Sequence, residues 1–240
     1  MRLDFIPGTM CDERLWGKLA PLLPADAEPN FVPLHTARTR ARMRSLIAAH
    51  TAPRANLVAF SMGAYLALEH TLAHPERVAS LVLICGSARG LREEEKERRQ
   101  RTMAALEKHA FAGMPPSQLR GFLHPSNVDD ASIAGVIQQM SLDLGKETML
   151  AQFGASMERP DLMERLRELR CPVMIVGSED DAMVRADDLR AMVAALDGSP
   201  RATLHLIQGS GHMVPLEAPA PLADCLRGFL DGAPPTTNAA

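Results

Sequence analysis

The sequence predicts an α/β fold, with a mostly parallel sheet of about six strands, helices on both faces and a helical cap insertion. Three observations predict this class. Short apolar runs alternate with helical patterns along the 240 residues, several of the runs are apolar at every position, and residues 87–170 contain no convincing strand. Such alternation is typical of βαβ units, in which helices pack on the sheet.

Six segments are predicted as strands because they are short, apolar and bounded by polar or turn residues. Uninterrupted apolar runs at 57–60, 81–84 and 173–176 suit strands that are buried on both faces of a parallel sheet. The predicted strands are residues 3–6, 31–34, 56–60, 80–85, 173–176 and 203–207.

Helical patterns fill most of the intervals between these strands. The predicted helices are residues 12–23, 38–50, 62–73, 186–196 and 219–230. Residues 87–170 carry only helical patterns, so we expect a cap inserted into a core formed by residues 1–86 and 171–232. Residues 233–240 are polar and contain two prolines, which predicts a disordered tail.

Composition and charge exclude several classes of function. With 46% hydrophobic and 23% charged residues the chain is typical of a globular protein, and a net charge of −3 predicts no nucleic-acid partner. No apolar run suits a membrane span or a signal peptide. The four cysteines are scattered without metal-ligand spacing, so we predict free thiols, no metal and a cytoplasmic location.

The junction at Ser61 is the most informative segment. A buried apolar run ends at Phe60 and a helical pattern begins at Met62, so Ser61 stands on the turn between a strand and a helix. Such a turn exposes the hydroxyl above the sheet edge and requires small residues two positions away, here Ala59 and Gly63. A serine in this position can also be a plain helix N-cap, but the strand–turn–helix context favours a nucleophile.

A nucleophilic serine needs a base, and the base needs an orienting acid. His212 is the predicted base because it follows the last predicted strand in a glycine-rich loop, whereas the other seven histidines lie in helices, strands or other loops. Three adjacent acids follow the strand at 173–176. We predict Asp180 as the orienting acid, three residues after Gly177, with Asp181 as the alternative.

Together these segments resemble the α/β-hydrolase superfamily over nearly the whole chain. The resemblance includes Pro7-Gly8-Thr9, which is similar to the family's oxyanion loop with Pro7 in place of the usual histidine. It implies a catalytic triad of Ser61, His212 and Asp180. It also implies an oxyanion hole formed by the backbone N–H groups of Thr9 and Met62. Trp16 is expected in the core rather than in the pocket.

The triad implies a serine hydrolase without cofactor, acting on a small-molecule acyl substrate that we expect to be a small, largely apolar ester. The same triad can also hydrolyse a thioester or a lactone, transfer an acyl group, or cleave a carbon–carbon bond beside a carbonyl. A non-catalytic small-molecule sensor on this fold is a further alternative. The mixed charges at 92–99 predict a solvated helix with i,i+4 pairs, and a substrate-binding role is the alternative. The methionines of the insertion predict core packing, with an adaptable pocket as the alternative; they are Met114, Met140, Met149 and Met157.

Overall fold

The computed structural model describes residues 1–232 and contains one sheet of six parallel strands. The strand order is β2-β1-β3-β4-β5-β6, and this confirms the predicted fold class. The tail predicted for residues 233–240 lies outside the described residues. The strands are β1 Arg2–Ile6, β2 Glu28–Phe31, β3 Ala55–Phe60, β4 Val78–Ile84, β5 Val173–Ser178 and β6 Ala202–Ile207.

Helices cover both faces of the sheet and bury two separate hydrophobic clusters, one on each side. Residues of β3 alternate between them, because successive strand side chains point to opposite faces: Leu57 and Ala59 belong to one cluster, Val58 and Phe60 to the other. The helices are α1 Arg40–His50, α2 Met62–Ala73, α3 Glu93–Lys108, α4 Pro116–Leu119, α5 Ala131–Met157, α6 Ala186–Ala194, α7 Val214–Glu217 and α8 Pro219–Leu230.

Two predicted elements differ from the structure. The second strand spans Glu28–Phe31 rather than 31–34, and Leu34 instead begins a short 3₁₀ turn. Val32 and Leu34 are apolar because they are buried in the core, not because they are in a strand. The predicted helix at 12–23 is two 3₁₀ turns, Glu13–Trp16 and Ala20–Leu22.

The segment 87–170 is helical, as its sequence pattern predicts, and holds α3, α4 and α5. Among residues 1–232, no helix combines the length and the apolar character that crossing a bilayer requires. The longest, α5, is broken at Gly145, whose φ of 75° and ψ of 175° are almost restricted to glycine. This break redirects the second half of α5, which carries Gln152 to the loop after β1.

Candidate active site

Ser61 occupies a strained turn between β3 and α2, with φ 52° and ψ −115°. A β-carbon added to Gly63 would collide with the carbonyl oxygens of Pro7 and Ile6, so the turn packs directly on the loop after β1. Met10, Ser61 and Cys85 are the non-glycine residues with positive φ among residues 1–232, and all three follow strands at the carboxyl edge of the sheet. Backbone strain concentrated at one edge is typical of a functional site.

His212 lies beside Ser61, as the sequence analysis expects. Its Nε2 is 3.0 Å from Ser61 Oγ, and its ring is nearly buried against Phe60, with the ring centroids 5.1 Å apart. The backbone N–H of His212 donates to the carbonyl oxygen of Phe122 at 2.6 Å. The histidine loop is therefore fixed both by the sheet and by the helical segment.

The acid that contacts the imidazole is Asp181, so the placement expected for Asp180 is wrong. Asp181 Oδ2 lies 2.8 Å from His212 Nδ1, and the Asp181 side chain is fully buried. Asp180 is half-exposed on the far side of the turn, where its carboxylate is 3.9 Å from His124 Nε2. Of the two adjacent acids, only Asp181 points into the site.

The error of one residue comes from the role of Gly177. The spacing argument assumes that this glycine begins the turn, but β5 continues to Ser178 and Gly177 lies inside it. A β-carbon at Gly177 would collide with Leu189 of α6, so this glycine is needed for close helix packing. The turn starts later, at Glu179, and the inward position moves from Asp180 to Asp181.

Several contacts hold Asp181 in its charged form. Burial disfavours the carboxylate, but His212 and the backbone N–H groups of Val184 and Met183 outweigh it and hold the pKa of Asp181 below its usual range. Those two N–H groups donate to Oδ1 at 3.0 and 2.7 Å, which leaves Oδ2 for the imidazole. Such a carboxylate fixes the tautomer and orientation of a histidine.

Cys85, Asp181 and His212 each offer one possible metal-ligand atom, and these three atoms lie within 4.8 Å of one another. This is the one such cluster found among the described residues. A thiol must deprotonate to bind a metal well. Burial, followed by the charges of Asp181 and Glu217, raises the pKa of Cys85 well above its ordinary value. Because Asp181 and His212 are also bonded to each other, the geometry suits a hydrogen-bonded relay better than a metal centre.

The backbone N–H groups of Thr9 and Met62 have no acceptor among residues 1–232, and both residues line the cavity beside Ser61. Met62 is the first residue of α2, where helical N–H groups are unpaired and the helix dipole favours negative charge. The next amide along from Thr9, that of Met10, already donates to Gln152 Oε1 at 2.7 Å. The N–H of Thr9, by contrast, has no acceptor among the described residues.

Glu217, which the sequence analysis does not single out, joins the histidine loop to the helical segment. Its Oε1 accepts the N–H groups of Gly211 and Met213, both at 3.0 Å. Its Oε2 accepts the N–H of His124 at 2.8 Å and the Asn127 side-chain amide at 2.9 Å. Four hydrogen bonds to one carboxylate fix the two loops against each other.

Two cavities share Ser61 and His212 in their walls. The apolar chamber, of about 410 Å³, is lined by the helical segment and the loop after β1, and includes Phe153. Met114 and Met149 line it too, whereas Met140 and Trp16 are buried in the core. The polar chamber, of about 230 Å³, lies towards α3 and the residues after β4. The helical segment thus contributes to the walls of both.

Sequence comparison agrees with this geometry. The family model described as alpha/beta hydrolase family matches residues 5–225, which is most of the chain. The chain belongs to the alpha/beta hydrolase family. Within this family the solved structure of a thermophilic esterase from Thermogutta terrifontis, with malate bound, has the same fold. It superposes with a TM-score of 0.81 over 97% of this chain and 90% of that chain, at 21% sequence identity.

Curated relatives in the alpha/beta hydrolase family are also hydrolases. A putative carbamate hydrolase RutD from Klebsiella pneumoniae is 29% identical over 152 residues, covering 60% of this chain and 55% of the relative. A 2-hydroxy-6-oxononadienedioate/2-hydroxy-6-oxononatrienedioate hydrolase 2 from Pseudomonas putida is 27% identical, covering 74% of this chain and 63% of the relative. The chain therefore spans between half and two thirds of the length of these relatives.

Proposed function

We propose that this alpha/beta hydrolase cleaves a carboxylic ester through a covalent acyl-enzyme, with Ser61 as nucleophile, His212 as base and Asp181 as the orienting acid. The observation that carries the proposal is the continuous hydrogen-bonded series at the sheet edge. It runs from Ser61 Oγ to His212 Nε2 at 3.0 Å and from His212 Nδ1 to Asp181 Oδ2 at 2.8 Å. Distances in this range suit proton transfer between the serine and the histidine.

In the first step Ser61 Oγ attacks the acyl carbon while His212 Nε2 takes its proton. Asp181 stabilises the resulting imidazolium and does not take the proton itself. The tetrahedral oxyanion accepts hydrogen bonds from the N–H groups of Thr9 and Met62, each contributing roughly 3 kcal/mol to barrier lowering. His212 then protonates the leaving alcohol, and the carbon–oxygen bond breaks.

In the second step a water molecule attacks the acyl carbon and gives its proton to His212. The new tetrahedral intermediate collapses, the proton returns to Ser61, and the carboxylic acid leaves. No cofactor takes part in these steps. The apolar chamber supports a substrate with at least one small hydrocarbon group, because Phe153, Met149 and Ile137 form part of its wall.

Cleavage of a carbon–carbon bond beside a carbonyl is the second candidate. The same serine, histidine and aspartate can serve it, and relatives named for hydrolysis of 2-hydroxy-6-oxo dioates cover about three quarters of this chain. The oxyanion donors would bind the oxyanion in the same way. The leaving group, however, would be a carbanion instead of an alkoxide, and the carbanion would have to be protonated on carbon. A substrate assay separates these two reactions.

The decisive experiment measures hydrolysis of 4-nitrophenyl esters from acetate to decanoate by the wild type, Ser61→Ala and a control, Ser45→Ala. Ser45 lies exposed on α1 and bonds only to its own helix. We expect the wild type to turn over these esters with an optimum at one chain length. Ser61→Ala should lower the rate by several orders of magnitude, and Ser45→Ala should not. A folded wild type that turns over no ester would reject the ester assignment, and labelling of Ser61 by a fluorophosphonate would then favour the carbon–carbon reaction.

A further inference from the structure

The polar chamber beside Ser61 is lined by an arginine whose guanidinium has no hydrogen-bond acceptor among residues 1–232. The guanidinium of Arg159, just after α5, neither donates a hydrogen bond to any residue in 1–232 nor pairs with a carboxylate there, and its Nε is fully buried. Its Cζ lies 4.8 Å from the centre of the Tyr65 ring. Burial lowers the pKa of Arg159 from its ordinary value, with Glu95 opposing this effect.

Arg99 of α3 presents a second unpaired donor to the same chamber. Its Nη2 bonds to Glu95 Oε1 at 2.7 Å, whereas its Nη1 is buried without an acceptor among the described residues. The Arg99 side chain is only 14% exposed, and its Cζ lies 5.1 Å from the Phe153 ring centre. The prediction of a solvated charge run is therefore wrong for Arg99, which faces inwards.

The remaining charges of the chamber are largely paired with each other. Arg89 and Arg92 both bind Asp188, at 3.1 and 2.9 Å. Glu95, the carboxylate whose charge acts on Arg159, is already bonded to Arg99. Arg98 and Glu94 also line the chamber but are exposed, so the buried donors without an acceptor among the described residues are Nε of Arg159 and Nη1 of Arg99.

Buried donors in folded proteins are almost always paired, and a buried unpaired charge is expensive. A guanidinium that lacks a protein acceptor inside a cavity is therefore free to bind an acceptor from outside the chain. Arginine N–H groups suit the two oxygens of a carboxylate, which they bind in short, charge-assisted hydrogen bonds. The chamber opens directly on Ser61 and His212, so this acceptor belongs to the molecule that reacts there.

We propose that Arg159 and Arg99 form a subsite for a carboxylate carried by the substrate, on one side of the bond that Ser61 attacks. The apolar chamber holds the hydrocarbon part on the other side. This inference rests on the proposed hydrolase function and narrows its substrate class from plain esters to esters that carry a free carboxylate. Arg159 is the principal donor because its guanidinium has no competing hydrogen-bond acceptor within residues 1–232.

The test compares matched pairs of esters that differ only in the carboxylate. On the acyl side the pair is mono-4-nitrophenyl adipate and 4-nitrophenyl heptanoate. On the leaving-group side it is 3-carboxyphenyl butanoate and 3-ethylphenyl butanoate. The quantity measured is the ratio of kcat/KM for the charged ester to kcat/KM for the neutral ester. We expect this ratio to exceed one in at least one pair.

Arg159→Met removes the charge and keeps an unbranched aliphatic stem. We expect it to lower the ratio at least about tenfold, chiefly through KM, because it removes a charge-assisted bond. Arg99→Met lowers the ratio less, because half of that guanidinium serves Glu95. Arg190→Met is the control, since Arg190 is paired with Glu179 and Asp187 at the surface and lines neither chamber.

Thermal unfolding of each variant separates binding from folding. Removing an unpaired buried charge should leave the melting temperature of Arg159→Met equal to or above that of the wild type. Isothermal calorimetry of Ser61→Ala with monomethyl adipate and methyl heptanoate provides a readout that needs no turnover. We expect the charged ester to bind more tightly, and Arg159→Met in the same background to remove that preference.

Together, the kinetic and calorimetric experiments distinguish a failure of the subsite from a failure of the proposed hydrolase function. If no ester is hydrolysed but the carboxylate preference in binding depends on Arg159, the hydrolase proposal fails and the subsite stands. If esters are hydrolysed with the same ratio in wild type, Arg159→Met and Arg190→Met, and calorimetry shows no preference, the subsite is refuted. An equal loss of the ratio in Arg190→Met would also refute it, because net charge alone would then explain the preference.

Discussion

Gln152 Oε1 accepts the N–H of Met10 at 2.7 Å, and this bond ties the helical segment to the loop that carries Thr9. Gln152 is fully buried, and Met10 has a φ of 54° that an L-residue rarely adopts. The bond holds this strained backbone beside Thr9, which lines the cavity next to Ser61. The helical segment therefore contacts the proposed oxyanion site as well as the two chambers.

Gln152→Leu removes the acceptor while keeping a buried side chain of similar size. We expect kcat on the best ester to fall about tenfold to a hundredfold, with a smaller change in KM, because the oxyanion donor acts mainly in the transition state. Gln139→Leu is the control on the same helix, since Gln139 bonds only to exposed Asp143. Equal kcat losses in both variants would argue against this role for Gln152.

Asp181→Asn should reduce kcat by several orders of magnitude, because the amide places an N–H group or a weaker acceptor against His212 Nδ1 and disturbs the tautomer. Asp180→Asn should retain nearly full activity, since the Asp180 carboxylate is half-exposed and takes no part in the hydrogen bonds that join Ser61, His212 and Asp181. Parallel steady-state kinetics on one ester decides between them. The opposite ranking would show that the acid is Asp180 in solution.

Gly63→Ala tests the closure of the turn at Ser61. Its β-carbon would collide with backbone oxygens, including that of Ile6 at 2.6 Å, so we expect a loss of about 2 kcal/mol or more in unfolding free energy. Gly135→Ala on α5 is the control, because nothing lies within 4 Å of its added β-carbon and alanine favours a helix by up to about 1 kcal/mol. Urea unfolding of both variants measures the difference, and equal stability would contradict the proposed collision.

His70 makes stability depend on acidity. Burial, with the neighbouring His74 and nearby arginines, lowers the pKa of His70 from 6.5 to about 4. Between these values the unfolded chain binds the proton and the folded chain does not, so unfolding free energy falls as pH decreases from 6.5 towards 4, by roughly 2 to 3 kcal/mol. His70→Gln should flatten this part of the urea stability profile. His50→Gln, an exposed control on α1, should leave its slope unchanged.

The sequence alone determined the elements whose residues carry a local signal. Continuous apolar runs identified the buried parallel strands, and the periodicity of residues 62–73 and 219–230 gave helices with the observed ends. The order of Ser61, an acidic turn and His212 along three strands was also readable. Parallel strands have their carboxyl ends at one edge of the sheet, so Ser61, the acidic turn and His212 were expected to lie near one another.

Only the tertiary structure decided which acid faces His212, because Gly177 is required by the packing of Leu189 and not by the turn. The inward orientation of Arg99 within a charged helix was equally hidden, since local charge pattern does not show which side a helix presents to a cavity. Gln152 and Arg159 join the site through contacts between residues far apart in the sequence. Local patterns fix where strands and turns form, whereas the packing of distant segments sets the direction of each side chain.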